Sequence, residues 1–260
     1  MILELEKARR LKAKLRSGKP CLGAQLALSD PAVAEIFGRA GYDWLLVDTE
    51  HSSSNPLTVK AMLQAAGNTQ AVLFARPIRL DPDEIRRFLD LGAPGVVCPF
   101  INTGEEAQRL VQACRYPPAG IRGYGPRRAG VYGFDAEEYF VKANESMICV
   151  PIIESKQAVE NIDAIVRVDG IDGICIGPYD LSISLGCYKQ FEHPDYLAAV
   201  EKVRLACQRH KKAMGGSCHS MESAKQCIAL GDTFLMVAGD DAFLASEARR
   251  YLKALVGNGE

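Results

Sequence analysis

At residues 44–51 the chain reads Trp-Leu-Leu-Val-Asp-Thr-Glu-His, four apolar residues followed at once by acids and a histidine. The same change from an apolar run to a charged side chain recurs at Arg76, Glu154 and Asp180. Apolar runs without alternation are typical of parallel strands that are covered on both faces. Polar side chains at the carboxyl ends of such strands meet at one rim when the sheet closes into a barrel. These four places therefore predict a fold and the position of a site.

Eight apolar runs alternate with amphipathic stretches along the chain. We predict strands at 22–26, 43–48, 71–76, 95–98, 147–153, 173–176, 212–217 and 233–238. We predict helices at 31–40, 57–67, 82–91, 104–114, 156–167, 195–210, 220–230 and 241–255. Eight strand–helix units favour a closed (β/α)8 TIM barrel, an α/β fold, over an open sheet. No linker rich in Pro, Gly or Ser divides the chain, so we predict a single domain over residues 1–260.

Two segments fall outside this rhythm. Residues 1–20 carry apolar side chains at helical spacing, which predicts a surface helix that covers one end of the barrel. Residues 115–146 separate the fourth helix from the fifth strand and predict a long loop. A loop of this length usually lies near a functional site or forms a subunit contact.

Composition excludes several classes of protein. The 31 basic and 32 acidic side chains nearly cancel, so nothing favours nucleic acid or an anionic membrane as a partner. Nine cysteines without CxxC spacing are typical of reduced thiols in a cytoplasmic protein. The N-terminus lacks the apolar stretch of a signal peptide, and no run approaches the roughly 18 apolar residues that a membrane span needs.

Glu154 and Asp180 are candidate metal ligands, because each follows a predicted strand. Carboxylate oxygens without nearby cysteine or clustered histidine favour Mg²⁺ or Mn²⁺ over zinc. Either acid alone is equally well explained as the N-cap of the following helix.

Arg76 ends an otherwise apolar strand, and we expect it to face an anion at the barrel mouth, since an unpaired arginine is costly to bury. A salt bridge to Asp48 or Asp90 is the structural alternative. His51 follows Asp48 and Glu50, which can orient its imidazole and raise its basicity for proton transfer.

Other motifs are absent. The predicted strands carry no lysine near the proposed site, which argues against a Schiff-base mechanism. The chain also lacks a GxGxxG loop, a P-loop and a GxSxG elbow, so we expect no organic cofactor. The turn at 177–182 offers backbone N–H groups able to bind a carboxylate.

Taken together, five motifs resemble the HpcH/HpaI family of metal-dependent (class II) pyruvate aldolases. They are Asp-Thr-Glu-His at 48–51, Ala-Arg-Pro at 75–77, Arg-Tyr-Pro-Pro-Ala-Gly-Ile-Arg-Gly at 115–123, Ile-Glu at 153–154 and Gly-Pro-Tyr-Asp-Leu-Ser at 177–182. The resemblance covers roughly residues 10 to 255, with the motifs in family order. It implies a TIM barrel that binds Mg²⁺, Mn²⁺ or Co²⁺, commonly a hexamer of dimers that exchange their last helix, here 241–255.

The resemblance also implies a role for each matched residue. Glu154 and Asp180 would bind the metal, and Arg76 would bind pyruvate and stabilise its enolate. His51, partnered by Asp48 and Asp90, would shuttle protons. The pyruvate carboxylate would lie on the turn formed by Gly177, Pro178, Tyr179 and Asp180.

The expected reaction is reversible retro-aldol cleavage of a 4-hydroxy-2-oxo acid to pyruvate and an aldehyde through a metal-bound enolate. Two positions differ from many relatives: Ile152 stands where they carry glutamine, and Tyr179 where they carry a small residue. Two alternatives therefore stay open. One is a citrate-forming enzyme that condenses oxaloacetate with acetyl-CoA, and the other is a barrel that binds 2-oxo acids without turnover.

Overall fold

Eight parallel strands pair in chain order, and the eighth pairs with the first to close a barrel. The computed structural model describes residues 2–256; Met1 and residues 257–260, the two ends of the predicted domain, lie outside the described part. The strands are β1 Cys21–Leu26, β2 Trp44–Asp48, β3 Val72–Arg76, β4 Gly95–Cys98, β5 Ile148–Ile153, β6 Gly173–Ile176, β7 Ala213–Ser217 and β8 Phe234–Gly239. The (β/α)8 TIM barrel is confirmed, and each predicted strand matches to within one residue.

Helices surround the barrel in the described range. They are α1 Leu3–Arg16, α2 Pro31–Ala40, α3 Pro56–Ala65, α4 Pro82–Asp90, α5 Gly104–Cys114, α6 Ala136–Ser146, α7 Lys156–Glu160, α8 Ile162–Val166, α9 Pro178–Ser184, α10 Pro194–Arg209, α11 Met221–Ala229 and α12 Asp240–Val256. The predicted helix at 156–167 is divided at Asn161 into α7 and α8. No helix within residues 2–256 has the length and apolar character needed to cross a membrane.

The predicted loop at 115–146 is wrong over its second half, which forms α6. Tyr139 and Ala143 lie one turn apart and are buried, and Glu138 pairs with Lys142 across the next turn at 2.6 Å. These are ordinary helix signals. We missed them because the proline- and glycine-rich residues that come before them set our interpretation of the whole segment.

The first half of that segment lies at the amino end of the barrel. Arg122 pairs with Asp90, the last residue of α4, and Arg128 donates to the carbonyl oxygen of Leu91. Helices of a (β/α)8 barrel run antiparallel to the strands, so α4 ends beneath the barrel and far from its mouth. We expected residues 115–146 to lie near the functional site or to form a subunit contact. Within the chain the first half of the segment does not lie near the site, and the subunit contact stays a prediction.

Alternate side chains of the strands point into the barrel and fill its interior. Trp44 of β2 stacks on Phe234 of β8 with ring centroids 4.1 Å apart, and Phe74 of β3 meets both rings edge-on. Leu11 and Leu15 of α1 join the same buried cluster. Helix α1 therefore closes the amino end, as predicted, and the aromatic layer above it forms a solid floor under the mouth.

Candidate active site

The polar site residues continue the inward-facing rows of the strands. Side chains of a strand alternate between faces, so Asp48 faces the same way as Trp44 and Leu46. Arg76 likewise continues the row of Phe74, and Asp48 and Arg76 are register partners in the ladder between β2 and β3. The barrel interior is thus apolar up to its last layer and charged at the mouth.

Asp48 and Arg76 form the centre of this layer. Arg76 Nε donates to Asp48 Oδ1 at 2.9 Å, and Arg76 Nη2 donates to Oδ2. Gln25 of β1 also donates to Asp48 Oδ2, at 2.8 Å. Burial raises the pKa of Asp48, but the hydrogen bonds and charge of Arg76 outweigh it, and the net pKa is lowered. The salt bridge between Asp48 and Arg76 confirms the structural alternative, and the guanidinium is held in one orientation.

Glu50 and His51 lie on the loop above β2. The Asp48 carboxylate accepts hydrogen bonds from the backbone N–H groups of both, at 3.0 and 3.1 Å, which fixes the turn. Glu50 Oε2 lies 3.3 Å from Arg76 Nε and 3.5 Å from His51 Nε2. The imidazole is 64% exposed, so His51 stands at the rim with Glu50 as the acid beside it.

Glu154 follows β5 and is buried. Its Oε1 accepts a hydrogen bond from the backbone N–H of Phe100 at 2.7 Å. Burial raises its pKa to about 7, with further contributions from the charges of Asp180 and Glu50. Burial likewise raises the pKa of Glu50, and the charges of Asp48 and Asp180 add to it. Glu50, Glu154 and Asp180 therefore share a region, and the charge of Arg76 there lowers the pKa values of Glu50 and Glu154.

Gly177 leaves room for the Glu154 carboxylate. A Cβ at Gly177 would lie 2.7 Å from Glu154 Oε2, closer than real Cβ atoms approach, and 3.1 Å from Ile152 Cγ2, which is tighter than most Cβ contacts. Ile152 is buried and forms the apolar wall below. Asp180 lies in the first turn of α9 and is exposed, and Tyr179 beside it is 46% exposed.

Neither acid acts as a helix N-cap. The N-cap of α7 is Ser155, whose hydroxyl accepts from the Ala158 N–H, and α9 begins after Gly177. The capping alternative for Glu154 and Asp180 is therefore not met.

The donor set fits a hard divalent cation. Burial raises the pKa of Glu154, and the charges of Asp180 and Glu50 raise it further. Carboxylates that repel one another become more stable when a cation lies between them. Residues 2–256 contain no cluster of three or more His, Cys, Asp or Glu side chains with metal-binding geometry. A cation here would take two protein ligands and complete its shell with other oxygens.

The structure separates Asp90 from the rest of the predicted site. Its carboxylate accepts a hydrogen bond from Arg122 Nη2 at 2.8 Å at the amino end of the barrel. Within residues 2–256 Asp90 makes no hydrogen bond or ion pair with His51. The predicted partnership is not formed inside the chain, because α4 carries Asp90 away from the mouth.

Three residues of the site were not predicted from the sequence. Gln25 is a polar residue within an apolar run at the inward row of β1, a signal that we overlooked. Glu50 was interpreted only as a neighbour of His51, although it contacts Arg76. Phe100 adopts a left-handed backbone, with φ of 53°, and aims its N–H at Glu154; no sequence pattern indicates this.

Comparison with known proteins shows the family of this chain. The family model described as HpcH/HpaI aldolase/citrate lyase matches residues 22–247. The chain belongs to the HpcH/HpaI aldolase/citrate lyase family. A 4-hydroxy-2-oxo-heptane-1,7-dioate aldolase from Escherichia coli is 37% identical over 238 residues, 91% of each chain. The family places this chain among carbon–carbon lyases of the aldolase type.

Two solved structures superpose closely on this chain. A family member from Burkholderia cenocepacia is 29% identical, with a TM-score of 0.92 over 95% of this chain and 99% of its own. The citrate synthase SbnG is 26% identical, with a TM-score of 0.84 over 94% and 96% of the two chains. The barrel thus resembles both a member of this family and a citrate synthase.

Proposed function

We propose that this chain cleaves a 4-hydroxy-2-oxo acid to pyruvate and an aldehyde with a divalent cation, Mg²⁺, Mn²⁺ or Co²⁺. The observation that carries the proposal is the mouth layer itself, in which Arg76 is fixed by Asp48 beside the buried carboxylate of Glu154. A fixed arginine can bind the negative charge of a substrate, and carboxylates without enough positive charge around them can bind a cation. The pair therefore suits a substrate that is an anion and can also coordinate that cation.

Glu154 and Asp180 would hold the cation. Bound there, the cation would withdraw charge from the 2-oxo group and so favour the enolate. The Phe100 N–H holds the Glu154 carboxylate, which occupies the space left by the missing side chain of Gly177. Asp180 reaches the same region from α9.

Arg76 would stabilise the negative charge that develops as the C3–C4 bond breaks. Its Nε and Nη2 are occupied by Asp48, and its side chain is 12% exposed, so the group needs little reorganisation. Preorganised donors of this kind contribute the largest single share of many rate enhancements. Asp48 acts as the positioning residue for this arginine.

His51 would take the proton from the 4-hydroxyl group. Its Nε2 faces Glu50, so Nδ1 is the nitrogen that would accept the proton. The C3–C4 bond then breaks, the aldehyde leaves, and the pyruvate enolate takes a proton at C3. Asp90 would take no part in these reaction steps, because Arg122 holds its carboxylate at the other end of the barrel.

The turn of Gly177, Pro178, Tyr179 and Asp180 would hold the pyruvate carboxylate. Leu181 makes the first helical hydrogen bond of α9, to the Gly177 carbonyl at 3.0 Å, and the Gly177 N–H donates to the Ile153 carbonyl at 3.2 Å. Proline has no N–H, so the N–H groups of Tyr179 and Asp180 are the ones that would bind the carboxylate. Ile152 below it offers only apolar surface, which limits polar contacts to the substrate on that side.

A coupled assay tests this function. Purified protein is given 4-hydroxy-2-oxoheptanedioate, and pyruvate release is followed with lactate dehydrogenase in the presence of Mg²⁺, Mn²⁺ or Co²⁺ and then of EDTA. We expect release that EDTA stops and added metal restores. Equal release with and without EDTA would overturn the metal role.

Citrate formation is a second candidate, motivated by the likeness to citrate synthase SbnG. The same protein with oxaloacetate and acetyl-CoA would then release free coenzyme A, which a thiol reagent detects. Coenzyme A release without aldol cleavage would transfer the assignment to this reaction.

We also infer a homo-oligomer in which α12 packs on a second copy. After Asp240 the helix is exposed on every side, and it carries six exposed apolar side chains: Phe243, Leu244, Tyr251, Leu252, Leu255 and Val256. An uncovered apolar helix of this size favours association, either as dimers or as a hexamer built from them. Light scattering of the wild type and of the Leu252→Glu variant tests this, and a monomeric wild type would contradict it.

A further inference from the structure

Two cysteines differ from the other seven. Cys218 and Cys227 are partly exposed, whereas the remaining cysteines are buried: Cys21, Cys98, Cys114, Cys149, Cys175, Cys187 and Cys207. Cys218 follows β7 directly, and Cys227 lies in the last turns of α11. Each thiol is the largest influence on the pKa of the other, so the only two accessible thiols among the described residues interact.

Both thiols line one open crevice between α10 and α11, with a volume of about 380 Å³. Its walls are largely apolar and include Tyr196, Met214 and Leu230. The residues that line it do not include Asp48, Arg76 or Glu154. A small uncharged molecule can therefore reach the two sulfurs without entering the barrel mouth.

The surroundings make the two thiols unequal. The hydrogen bond from Cys218 lowers the pKa of Cys227 despite burial and the nearby Asp232, and the Arg204 guanidinium acts in the same direction. The same bond raises the pKa of Cys218. By contrast, burial raises the pKa of Cys207 to about 12. Cys227 is thus the thiol that ionises first, with a second thiol already in contact.

We propose that Cys218 and Cys227 are a redox-active dithiol that hydrogen peroxide converts to an intramolecular disulfide. The Cys227 thiolate attacks one peroxide oxygen, the O–O bond breaks, and a protonated hydroxide leaves as water, which gives a sulfenic acid. Cys218 then loses its proton, attacks that sulfur and expels a second water. Two thiols are oxidised by two electrons in total, and one peroxide is reduced to two waters.

The sequence makes the product easy to detect. Trypsin cleaves after Lys212 and Lys225, so the two cysteines fall on different peptides. The full-length protein is treated with hydrogen peroxide, quenched with catalase, labelled with iodoacetamide under native conditions and digested without reductant. We expect a linked peptide pair two hydrogen atoms lighter than the sum of its parts, loss of native labelling at both cysteines, and reversal by dithiothreitol.

Three variants sharpen the test. Cys218→Ser leaves Cys227 without a resolving thiol, so dimedone should trap a sulfenic acid there. Cys227→Ser should give no linked pair. Cys207→Ser, the matched control at a buried cysteine of α10, should keep the pair.

Wild-type protein whose two thiols remain open to iodoacetamide after peroxide would overturn the proposal. So would a disulfide between two chains, or one that joins either cysteine to a third. All these readouts are independent of catalytic activity.

Discussion

Both ends of the barrel bury charged side chains, but the two ends differ in how fully those charges are paired. At the amino end, Lys12 Nζ lies 3.2 Å from Asp172 and donates to the Glu145 carbonyl oxygen at 2.9 Å. Lys7 Nζ donates to the carbonyl oxygens of Ala66 and Gly67 at 3.3 and 3.0 Å. Each buried cation there has protein oxygens as partners, and the arrangement joins α1 to the barrel.

The carboxyl end is not balanced in this way. Asp48 is neutralised by Arg76, but burial raises the pKa values of Glu50 and Glu154, and the nearby charge of Asp180 raises both further. A buried ion pair with complete partners is explained by structure alone. An excess of buried like charge costs stability and is retained where a ligand supplies the missing charge. The comparison therefore assigns stability to the amino end and chemistry to the mouth.

Removal of Glu154 should have the largest effect. We expect Glu154→Ala to lose metal-dependent cleavage down to the background, because the buried ligand disappears. Activity with each metal and metal affinity by calorimetry measure this. Glu160→Ala, an exposed acid of α7, is the matched control and should keep both. A Glu154→Ala enzyme with normal metal affinity would show that our ligand set is wrong.

Arg76→Ala should lower kcat by about 100-fold, or about 3 kcal/mol, the usual result of removing a preorganised donor to a developing oxyanion. Steady-state kinetics with saturating metal measure it. Arg76→Lys keeps the charge but not the two-pronged contact with Asp48, and we expect only partial recovery. Near-normal turnover in Arg76→Ala would remove the arginine from the mechanism.

At the amino end, Lys12→Met should destabilise the fold by about 3 kcal/mol without changing kcat/KM, since it leaves the Asp172 carboxylate with less compensation. Urea unfolding and the coupled assay measure the two quantities. A loss of activity greater than the loss of folded protein would contradict the claim that the amino end serves stability and the mouth serves catalysis.

The stability of the metal-free protein should depend on pH. Burial raises the pKa of Glu154 from 4.5 to about 7 in the folded protein. Between these pH values the unfolded chain loses a proton that the folded protein keeps, so stability falls as pH rises over that window. Glu154→Gln does not ionise, and we expect it to be more stable than the wild type by about 3 kcal/mol at pH 8 and no more stable near pH 4.5. Thermal unfolding in EDTA measures this. Equal pH profiles for the two proteins would contradict the raised pKa.

The barrel could be predicted because its signals are local. Each strand is a short apolar run, and the acids and arginine at the run ends fall on the inward row by alternation. For this reason the residue pattern alone is enough to place Asp48 and Arg76 at one rim.

What could not be predicted depends on contacts between distant segments. The left-handed turn at Phe100, which aims an N–H at Glu154, follows from packing and has no sequence signature. The position of Asp90 depends on which end of α4 carries it, and family likeness alone did not indicate that. Helix α6 was missed because its signals follow directly on an irregular segment.

The most direct test of the central claim is proton exchange at C3 of pyruvate. Pyruvate in D₂O is followed by proton NMR with the wild-type protein and Mg²⁺, and again after chelation. Enolate formation at the mouth predicts loss of the C3 methyl signal that depends on metal and is absent in Glu154→Ala. No exchange with Mg²⁺, Mn²⁺ or Co²⁺, or exchange that persists unchanged in Glu154→Ala, would contradict it.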